Sequence, residues 1–212
     1  SPDGRKWSGE QPRGLAYWEG LSKVINEEPV IERDRMMMGM LQPLGIDKGK
    51  PFNPTDRQKE ILTEATQTGE VMARTIGYEK RFEGATVYPG KQWEYAVKFD
   101  LNQEDPEQTR VQFDERASWF YEAIGMSAGM QGRIVGFGQV YLETSKDKDG
   151  NWLDGGKTYK MRVEPNPPVR QFWSITLYDN LTRGPLITDQ GAADLSSRKP
   201  DLVTNADGSV DV

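Results

Sequence analysis

The chain has 212 residues, a formal net charge of -6, and neither Cys nor His. This length can form one large domain or two small ones. The acidic balance disfavours general nucleic-acid binding, because contact with a phosphate backbone requires a cationic surface. Without Cys and His, these residues contain no disulfide, His-ligated zinc, Cys nucleophile or Ser-His-Asp triad.

The aromatic content indicates a folded chain. Six Trp, eight Tyr and seven Phe supply large apolar surfaces that disordered segments usually lack. We therefore expect a hydrated globular fold with an aromatic core. No stretch reaches the roughly 18 to 20 apolar residues of a membrane-spanning helix, so no membrane span is expected.

Residues 14 to 78 are predicted to be helical. In the first helix, the apolar residues between 15 and 25 follow the 3, 4 spacing of an amphipathic helix. Pro29 is predicted to end this helix. The next segment, residues 31 to 44, contains a Met cluster at positions 36 to 40 that is too continuous for one helix face. We expect this segment to be buried on more than one side; an adaptable binding surface is the alternative.

The third helical segment is the longest. Asn53 is predicted to cap it, with Pro54 as its first residue, and Gly77 is predicted to end it. One apolar stripe runs along roughly six turns of this helix. The stripe consists of Ile61, Leu62, Ala65, Met72, Ala73 and Ile76.

From about residue 81 the apolar period changes from 3.6 to 2, which predicts strands. Residues 93 to 100 are predicted to form a strand with one solvent-facing side, followed by a helix that Asp114 caps. Five Gly between 125 and 138 match neither the dinucleotide fingerprint nor the P-loop, so a mobile or bulged loop is expected. Short turns predict antiparallel neighbours among the later strands. These strands are predicted at residues 139 to 144, 159 to 163, 170 to 178 and 185 to 188.

The end of the sequence contains a hairpin signal. The pair Asp207-Gly208 lies between short β-prone stretches, yet the returning strand has barely begun at Val212. We therefore expect the sequence to be part of a longer protein.

A polar turn at residues 147 to 155 offers oxygen atoms at alternating positions and is similar to the start of a calcium loop. However, Trp152 occupies the position that needs Gly, and Thr158 stands where the bidentate Glu would be. A polar hairpin loop without a metal is therefore expected, and a weak calcium site is the alternative. No cofactor is expected.

The predicted strand at residues 170 to 178 carries large groups on both faces. A central strand covered by a second layer is the simpler explanation. The alternative is a ligand site, because such sites combine aromatic walls with a few polar groups. The candidate ligand-binding residues are Ser174, Thr176, Tyr178, Arg183 and Asp189.

Two groups of longer motifs occur along the chain. The C-terminal group consists of residues 171 to 179, Thr182-Arg183, Asp189-Gln190, 195 to 197 and 205 to 211. The upstream group consists of residues 26 to 29, 40 to 46, 49 to 52, 114 to 121 and 146 to 150. With these motifs the chain resembles a two-part bacterial family, the domains of unknown function 1254 and 1214, over nearly its whole length.

The resemblance has mainly structural implications. It implies two β-rich domains joined by a helical region, the second a jelly-roll-like antiparallel sandwich, and many members of the family are exported from bacterial cells. Relative to that pattern, the chain lacks the N-terminal β domain and the closing strands after Val212. The family has no settled activity, so the resemblance implies no catalytic residue.

The predicted fold class is α+β, a helical region followed by an antiparallel jelly-roll-like β-sandwich with one inserted helix. Residues 1 to 80 are predicted to form a helical linker at the end of the first domain. Residues 81 to 212 are predicted to form the sandwich, truncated at its C-terminus.

For function, we expect an exported protein, periplasmic or extracellular, that binds carbohydrate or another polar ligand. This expectation depends on an analogy with the fold of the family, and a shared fold alone does not specify a function. One alternative is a hydrolase that acts on glycans or amide-linked sugars through two carboxylates. The other is a structural protein that assembles with copies of itself. The expected partners are a polar small molecule or glycan and a second copy of the chain, and not nucleic acid.

Overall fold

The computed structural model describes residues 12–96, 109–124, 140–181, 183–189, 191 and 193–212. The chain divides into two compact units, Ser1–Thr144 and Ser145–Val212. Within the described residues, the regular structure consists of α-helices and short antiparallel strand pairs, as the α+β prediction requires. The domain boundary predicted near residue 80 stays a prediction.

The first unit begins with the helices predicted between residues 14 and 78. They are α1 (Leu15–Glu27), a 3₁₀ turn (Glu32–Asp34), α2 (Arg35–Leu41), a second 3₁₀ turn (Gln42–Leu44) and α3 (Asp56–Tyr78). Helix α1 packs on α3, where Ile25 and Leu62 are buried. The indole Nε1 of Trp18 donates to the Leu62 carbonyl oxygen (2.8 Å), so the aromatic side chain joins the two helices without an unpaired polar group.

The C-terminal end of α1 is closed by a loop from later in the chain. Lys48 Nζ donates to the carbonyl oxygens of Ile25 (2.9 Å), Asn26 (3.1 Å) and Glu28 (2.8 Å). The last carbonyls of a helix have no partner within the helix, and a cation there also interacts favourably with the helix dipole. The neighbouring Ile46 is 1% exposed and anchors the loop in the core.

Helix α2 is exposed, which contradicts the predicted burial of its Met cluster. Met36 and Met40 are 64% and 63% exposed, and no residue of α2 is buried. The helix has only seven residues and packs mainly against the adjacent 3₁₀ turns. These two turns are too small to cover its apolar side chains on all sides. This exposure is the arrangement that the alternative interpretation, an adaptable surface, requires.

The start of α3 differs by two residues from the prediction. Thr55, not Asn53, is the N-cap, and Asp56 is the first helical residue. The Gln58 backbone N–H donates to Thr55 Oγ1 (3.3 Å), and the Thr55 backbone N–H donates to Gln58 Oε1 (2.8 Å). This reciprocal pair is a capping box, and it pairs two N–H groups that have no partner within the helix.

We expect Thr55→Ala to lower the free energy of unfolding by about 1 kcal/mol, because the variant loses the cap of α3. Chemical denaturation of both proteins measures the difference. Thr63→Ala is the control: its hydroxyl only donates to the Lys59 carbonyl within the same helix (2.8 Å), and Ala is the better helix former. Equal losses in the two variants would contradict the capping role.

Two further elements complete the described part of the first unit. Strands β1 (Glu94–Tyr95) and β2 (Leu142–Glu143) pair antiparallel. Helix α4 (Phe113–Trp119) continues into a π-helical turn (Phe120–Ile124), so a helix is present where one was predicted between the strands. The rest of the strand predicted at 93 to 100 and the Gly-rich run lie outside the described residues.

The predicted capping role of Asp114 is wrong. Gln112 is the N-cap residue of α4 and makes no side-chain capping hydrogen bond. Asp114 and Glu115 lie inside the first turn instead, where their negative charges interact favourably with the positive end of the helix dipole.

The second unit contains two antiparallel strand pairs. Strand β3 (Arg162–Val163) pairs with β6 (Val210–Asp211), and β4 (Ser174–Thr176) pairs with β5 (Asp194–Ser196). The antiparallel orientation is confirmed, but β3 pairs with the last strand and not with its neighbour in sequence. The predicted strand at 185 to 188 contributes a single bridge, between Pro185 and Tyr178.

Burial in the second unit is slight. Among its described residues only Ser209 and Val210 are buried, and each sheet has two strands. The predicted turn at Asp207-Gly208 is present: the Gly208 N–H donates to the Asn205 carbonyl oxygen (2.9 Å) at φ +83°, a conformation that favours Gly. The Asn205 N–H donates to the Ser209 carbonyl oxygen across the turn (2.8 Å), and the strand that follows the turn pairs with β3.

Candidate functional site

Four of the five predicted site residues lie on one hairpin of the second unit. Ser174 and Thr176 are on β4, and the chain then passes Tyr178, turns, and returns at Pro185. The turn is closed by the Asp179 N–H donating to the Gly184 carbonyl (2.9 Å) and the Arg183 N–H donating to the Asp179 carbonyl (2.8 Å). Arg183 has a φ of +58°, which places it in the left-handed region within this tight turn.

This hairpin exposes aromatic side chains. Tyr178 is 54% exposed and Phe172 is 42% exposed. The Arg198 guanidinium lies over the Phe172 ring, with Cζ 4.3 Å from the ring centroid. We call the surface formed by Phe172, Ser174, Thr176 and Tyr178 the hairpin surface; Arg183 lies in the turn beside it, and its Nε and Nη1 atoms are buried. The simpler interpretation of this segment, a strand covered by a second layer, stays a prediction.

Asp189 does not join the hairpin surface. It is exposed, next to a turn in which the Gly191 N–H donates to the Thr188 carbonyl oxygen (3.0 Å). Within the part of the chain that the structure describes, its carboxylate makes no ion pair or hydrogen bond. Its proximity to Arg183 in sequence therefore does not produce a contact between their charges.

The turn that is similar to a calcium loop is a polar hairpin. The Asp147 carboxylate accepts hydrogen bonds from the backbone N–H groups of Asn151 and Asp149, both at 2.9 Å. These bonds hold the pKa of Asp147 below its usual value, and the bond from Asn151 has the largest effect. Lys146 and Trp152 form a β-bridge, and the Lys146 ammonium lies 4.6 Å from the Trp152 ring centroid. Among the described residues, no three acidic side chains converge on a point that could hold a metal ion.

The first unit contains a buried ionic cluster that the sequence patterns did not predict. Lys80 Nζ contacts both carboxylate oxygens of Glu122, at 2.7 and 2.8 Å, and one oxygen of Glu143, at 2.9 Å. The Lys80 side chain is only 2% exposed. We call these three residues the Lys80 cluster. It connects the segment after α3, the π-helical turn and strand β2.

Local structure explains how the cluster forms. Glu122 lies in the π-helical turn, a distortion that often occurs at functional sites. The Glu122 carboxylate reaches Lys80 by passing over Gly77, where a Cβ atom would collide with Glu122 Oε1. Glu143 is brought to Lys80 by the β1–β2 pair, in which it lies directly opposite Glu94.

Burial and neighbouring charges shift two pKa values around this cluster. Burial raises the pKa of the Tyr78 hydroxyl to about 12. Burial also raises the pKa of the Glu143 carboxyl; the Lys80 ammonium opposes this shift and the Glu94 carboxylate adds to it. A carboxyl group with a raised pKa next to a second carboxylate is the kind of pair that general acid–base chemistry uses.

The residues of this cluster carry little sequence signal. Lys80 and Glu122 are 42 positions apart, and no fixed spacing connects them to Glu143. The one local sign is Gly77 near the end of a long amphipathic helix, where the sequence pattern predicts only a helix end. Its small size instead allows close approach by Glu122.

The fold and sites define an α+β protein with a solvent-exposed aromatic hairpin and a buried Lys–Glu cluster. Residues 138–212 match the family described as "Protein of unknown function (DUF1214)", which agrees with the resemblance of the second domain. A comparison with curated proteins finds no match. None of the helices in the described ranges combines the length and apolar character that crossing a membrane requires.

Proposed function

We propose that this protein is an exported module that binds carbohydrate or another polar ligand on the hairpin surface. The main support is the exposure of Phe172 and Tyr178, which flank strand β4 with its Ser174 and Thr176. Aromatic faces pack against the apolar faces of sugar rings, while hydroxyl and guanidinium groups can form directed hydrogen bonds with the ligand. Arg198 over Phe172 adds a cation beside the aromatic ring.

The finer features of the fold are part of the same proposal. We propose that the strand pairs of residues 81 to 212 belong to a jelly-roll-like sandwich. We also propose that residues 1 to 80 correspond to the end of the domain numbered 1254. The exported location depends on the family resemblance alone.

A carboxylate-dependent hydrolase is the second candidate, and the Lys80 cluster is the observation that favours it. Glu122 and Glu143 both contact one ammonium group, so their carboxylates lie a few Å apart. Glycoside hydrolysis uses two carboxyl groups roughly 5 to 10 Å apart, one of them with a raised pKa. In the present arrangement, however, Lys80 occupies the space between the two carboxylates, which favours the binding function.

Binding is tested by titrating isotope-labelled protein with neutral, acidic and amino-sugar oligosaccharides and following the backbone amide signals by NMR. We expect shifts at residues of the hairpin surface. Tyr178→Ala is expected to weaken binding by about tenfold, equivalent to about 1.4 kcal/mol. Leu181→Ala is the matched control, because Leu181 is a similarly exposed residue of the same turn without an aromatic face.

The same samples distinguish the alternatives. Release of reducing sugars or free amines during the incubation would favour the hydrolase. A concentration-dependent increase in particle mass, with no ligand response, would favour self-assembly. Equal weakening by Tyr178→Ala and Leu181→Ala would contradict a site on the hairpin surface.

A further inference from the structure

The Lys80 cluster contains more negative than positive charge. Lys80 supplies one positive charge, and Glu122 matches it with a contact to both carboxylate oxygens. Glu143 contacts the same ammonium through one carboxylate oxygen at 2.9 Å and faces Glu94 across the strand pair. Two carboxylates opposite each other on neighbouring strands repel. Two carboxylates therefore share the Lys80 ammonium, and one of them also faces a third carboxylate.

We propose that the Lys80 cluster is a proton-responsive junction between the end of α3 and strand β2, in which Glu143 gains and loses a proton while Lys80 and Glu122 remain paired. At acidic pH the cluster holds one matched ion pair and a neutral Glu143. At neutral pH it must hold a second carboxylate next to the first.

The geometry identifies Glu143 as the member that changes charge. The Glu122 side chain is 16% exposed and lies against Gly77. Both of its carboxylate oxygens accept hydrogen bonds from Lys80. The Glu143 side chain is 33% exposed, so water can deliver a proton. The charged group that faces Glu143 from β1 is Glu94, and the one that follows α3 is Lys80.

The surrounding groups agree with this assignment. Tyr78 at the end of α3 stays neutral at physiological pH because its pKa is about 12. Arg74 on α3 acts on Tyr78, whereas the charged groups that shift the pKa of Glu143 are Lys80 and Glu94. Burial raises the pKa of Glu143 and Glu94 adds to the shift, which agrees in direction with the excess of negative charge.

The sign of the effect on stability follows from proton linkage. The folded state holds the Glu143 proton more tightly than the unfolded state, because the pKa is raised in the folded state. Stability from this group is therefore fully present below the unfolded pKa and is lost as the pH rises through the folded pKa. We expect the strand pair β1–β2 to be held more tightly in acid than at neutral pH.

Glu143→Gln tests the proposal, because Gln keeps the shape of the side chain and stays neutral at every pH. The folded-to-unfolded ratio of E143Q and the wild type is measured by denaturation from about pH 4 to about pH 8. We expect E143Q to equal or exceed the wild type at neutral pH. We then divide the folded-to-unfolded ratio of E143Q by that of the wild type. This quotient should change with pH by about tenfold for each unit by which folding raises the pKa of Glu143.

Glu60→Gln is the control, because the Glu60 side chain is 70% exposed and only pairs with Arg57 on the helix surface. The folded-to-unfolded ratio of E60Q should stay close to that of the wild type, because an exposed ion pair contributes little to stability. A constant difference between E143Q and the wild type would overturn the proposal. An E143Q protein with fewer folded molecules than the wild type at neutral pH would overturn it as well.

A second measurement does not depend on how the variant folds. Carboxyl carbon NMR of the wild type follows the Glu143 signal directly as the pH is changed. We expect its midpoint above 4.5, the ordinary value for this group. A midpoint at or below that value would show that Glu143 is stabilised as the charged form, and the proposal would be wrong.

Discussion

Replacing Lys80 with Met is expected to lower the free energy of unfolding by about 3 to 5 kcal/mol. Met has nearly the same length and apolar stem, so the change removes mainly the ammonium group. Glu122 and Glu143 would then lie together in the cluster without the cation that contacts both of them. An uncompensated charge in a buried position is among the most destabilising changes that one substitution can produce.

Lys59→Met is the matched control at the other end of α3. Lys59 also pairs with an acidic residue, Asp56 at 2.9 Å, but the two side chains are 47% and 97% exposed. Exposed ion pairs typically contribute less than about 1 kcal/mol, so K59M should be nearly neutral. Chemical denaturation at neutral pH measures both variants.

The double variant K80M/E122Q separates the loss of charge balance from a loss of packing. If charge balance is responsible, adding Glu122→Gln should recover part of the loss, because one of the two unmatched carboxylates is removed. A coupling energy of about 0.5 to 3 kcal/mol is typical for residues in contact. Additive losses in the two single variants would show that packing, and not charge, accounts for the effect of K80M.

The parts of the fold that depend on local pattern were predictable. The apolar spacing of α1 and α3 places Ile25 and Leu62 in the helix interface, and both are buried in the structure. The turn at Asp207-Gly208 was predictable for the same reason, since its conformation is set by adjacent residues. Local sequence carries this information because the hydrogen bonds involved close within a few positions.

The predictions are wrong where two neighbouring residues could both cap a helix, or where the structure depends on contacts with residues far away in the sequence. Asn53 and Thr55 are both good caps, but only Thr55 has Gln58 three positions later to complete the reciprocal pair. The exposure of Met36 and Met40 depends on what packs against a seven-residue helix, which no periodicity specifies. Pairing of β3 with β6 joins Arg162 to Asp211 and Val163 to Val210, residues that lie far apart in the sequence, so no local pattern specifies it.

The two candidate sites show the same contrast. The hairpin surface follows from local pattern, because Ser174, Thr176 and Tyr178 alternate along one segment. The Lys80 cluster was not, because it is assembled from a helix end, a π-helical turn and a strand. A π-helical turn requires one extra residue per turn, and no pattern in the local sequence predicts it.

Gly77→Ala is expected to lower the free energy of unfolding by about 1 to 3 kcal/mol, although Ala is normally the better helix former. Gly77 is buried within α3, and an added methyl group would occupy the position of Glu122 Oε1. The carboxylate end of a Glu side chain could ordinarily move aside at little cost. Here it cannot move without breaking its two contacts to Lys80.

Gly69→Ala on the same helix isolates the effect of the added methyl group on Glu122. A Cβ atom at Gly69 would meet nothing within 4 Å, so G69A should raise the free energy of unfolding by about 0.8 to 1 kcal/mol through helix propensity alone. Opposite signs for G77A and G69A are therefore expected in the same denaturation experiment. In the E122Q background, G77A should be less harmful, because the side chain that it displaces no longer carries a charge matched to Lys80. Two stabilising glycine substitutions would mean that Glu122 has an equally good position elsewhere, and that Gly77 is not required for the Lys80 cluster.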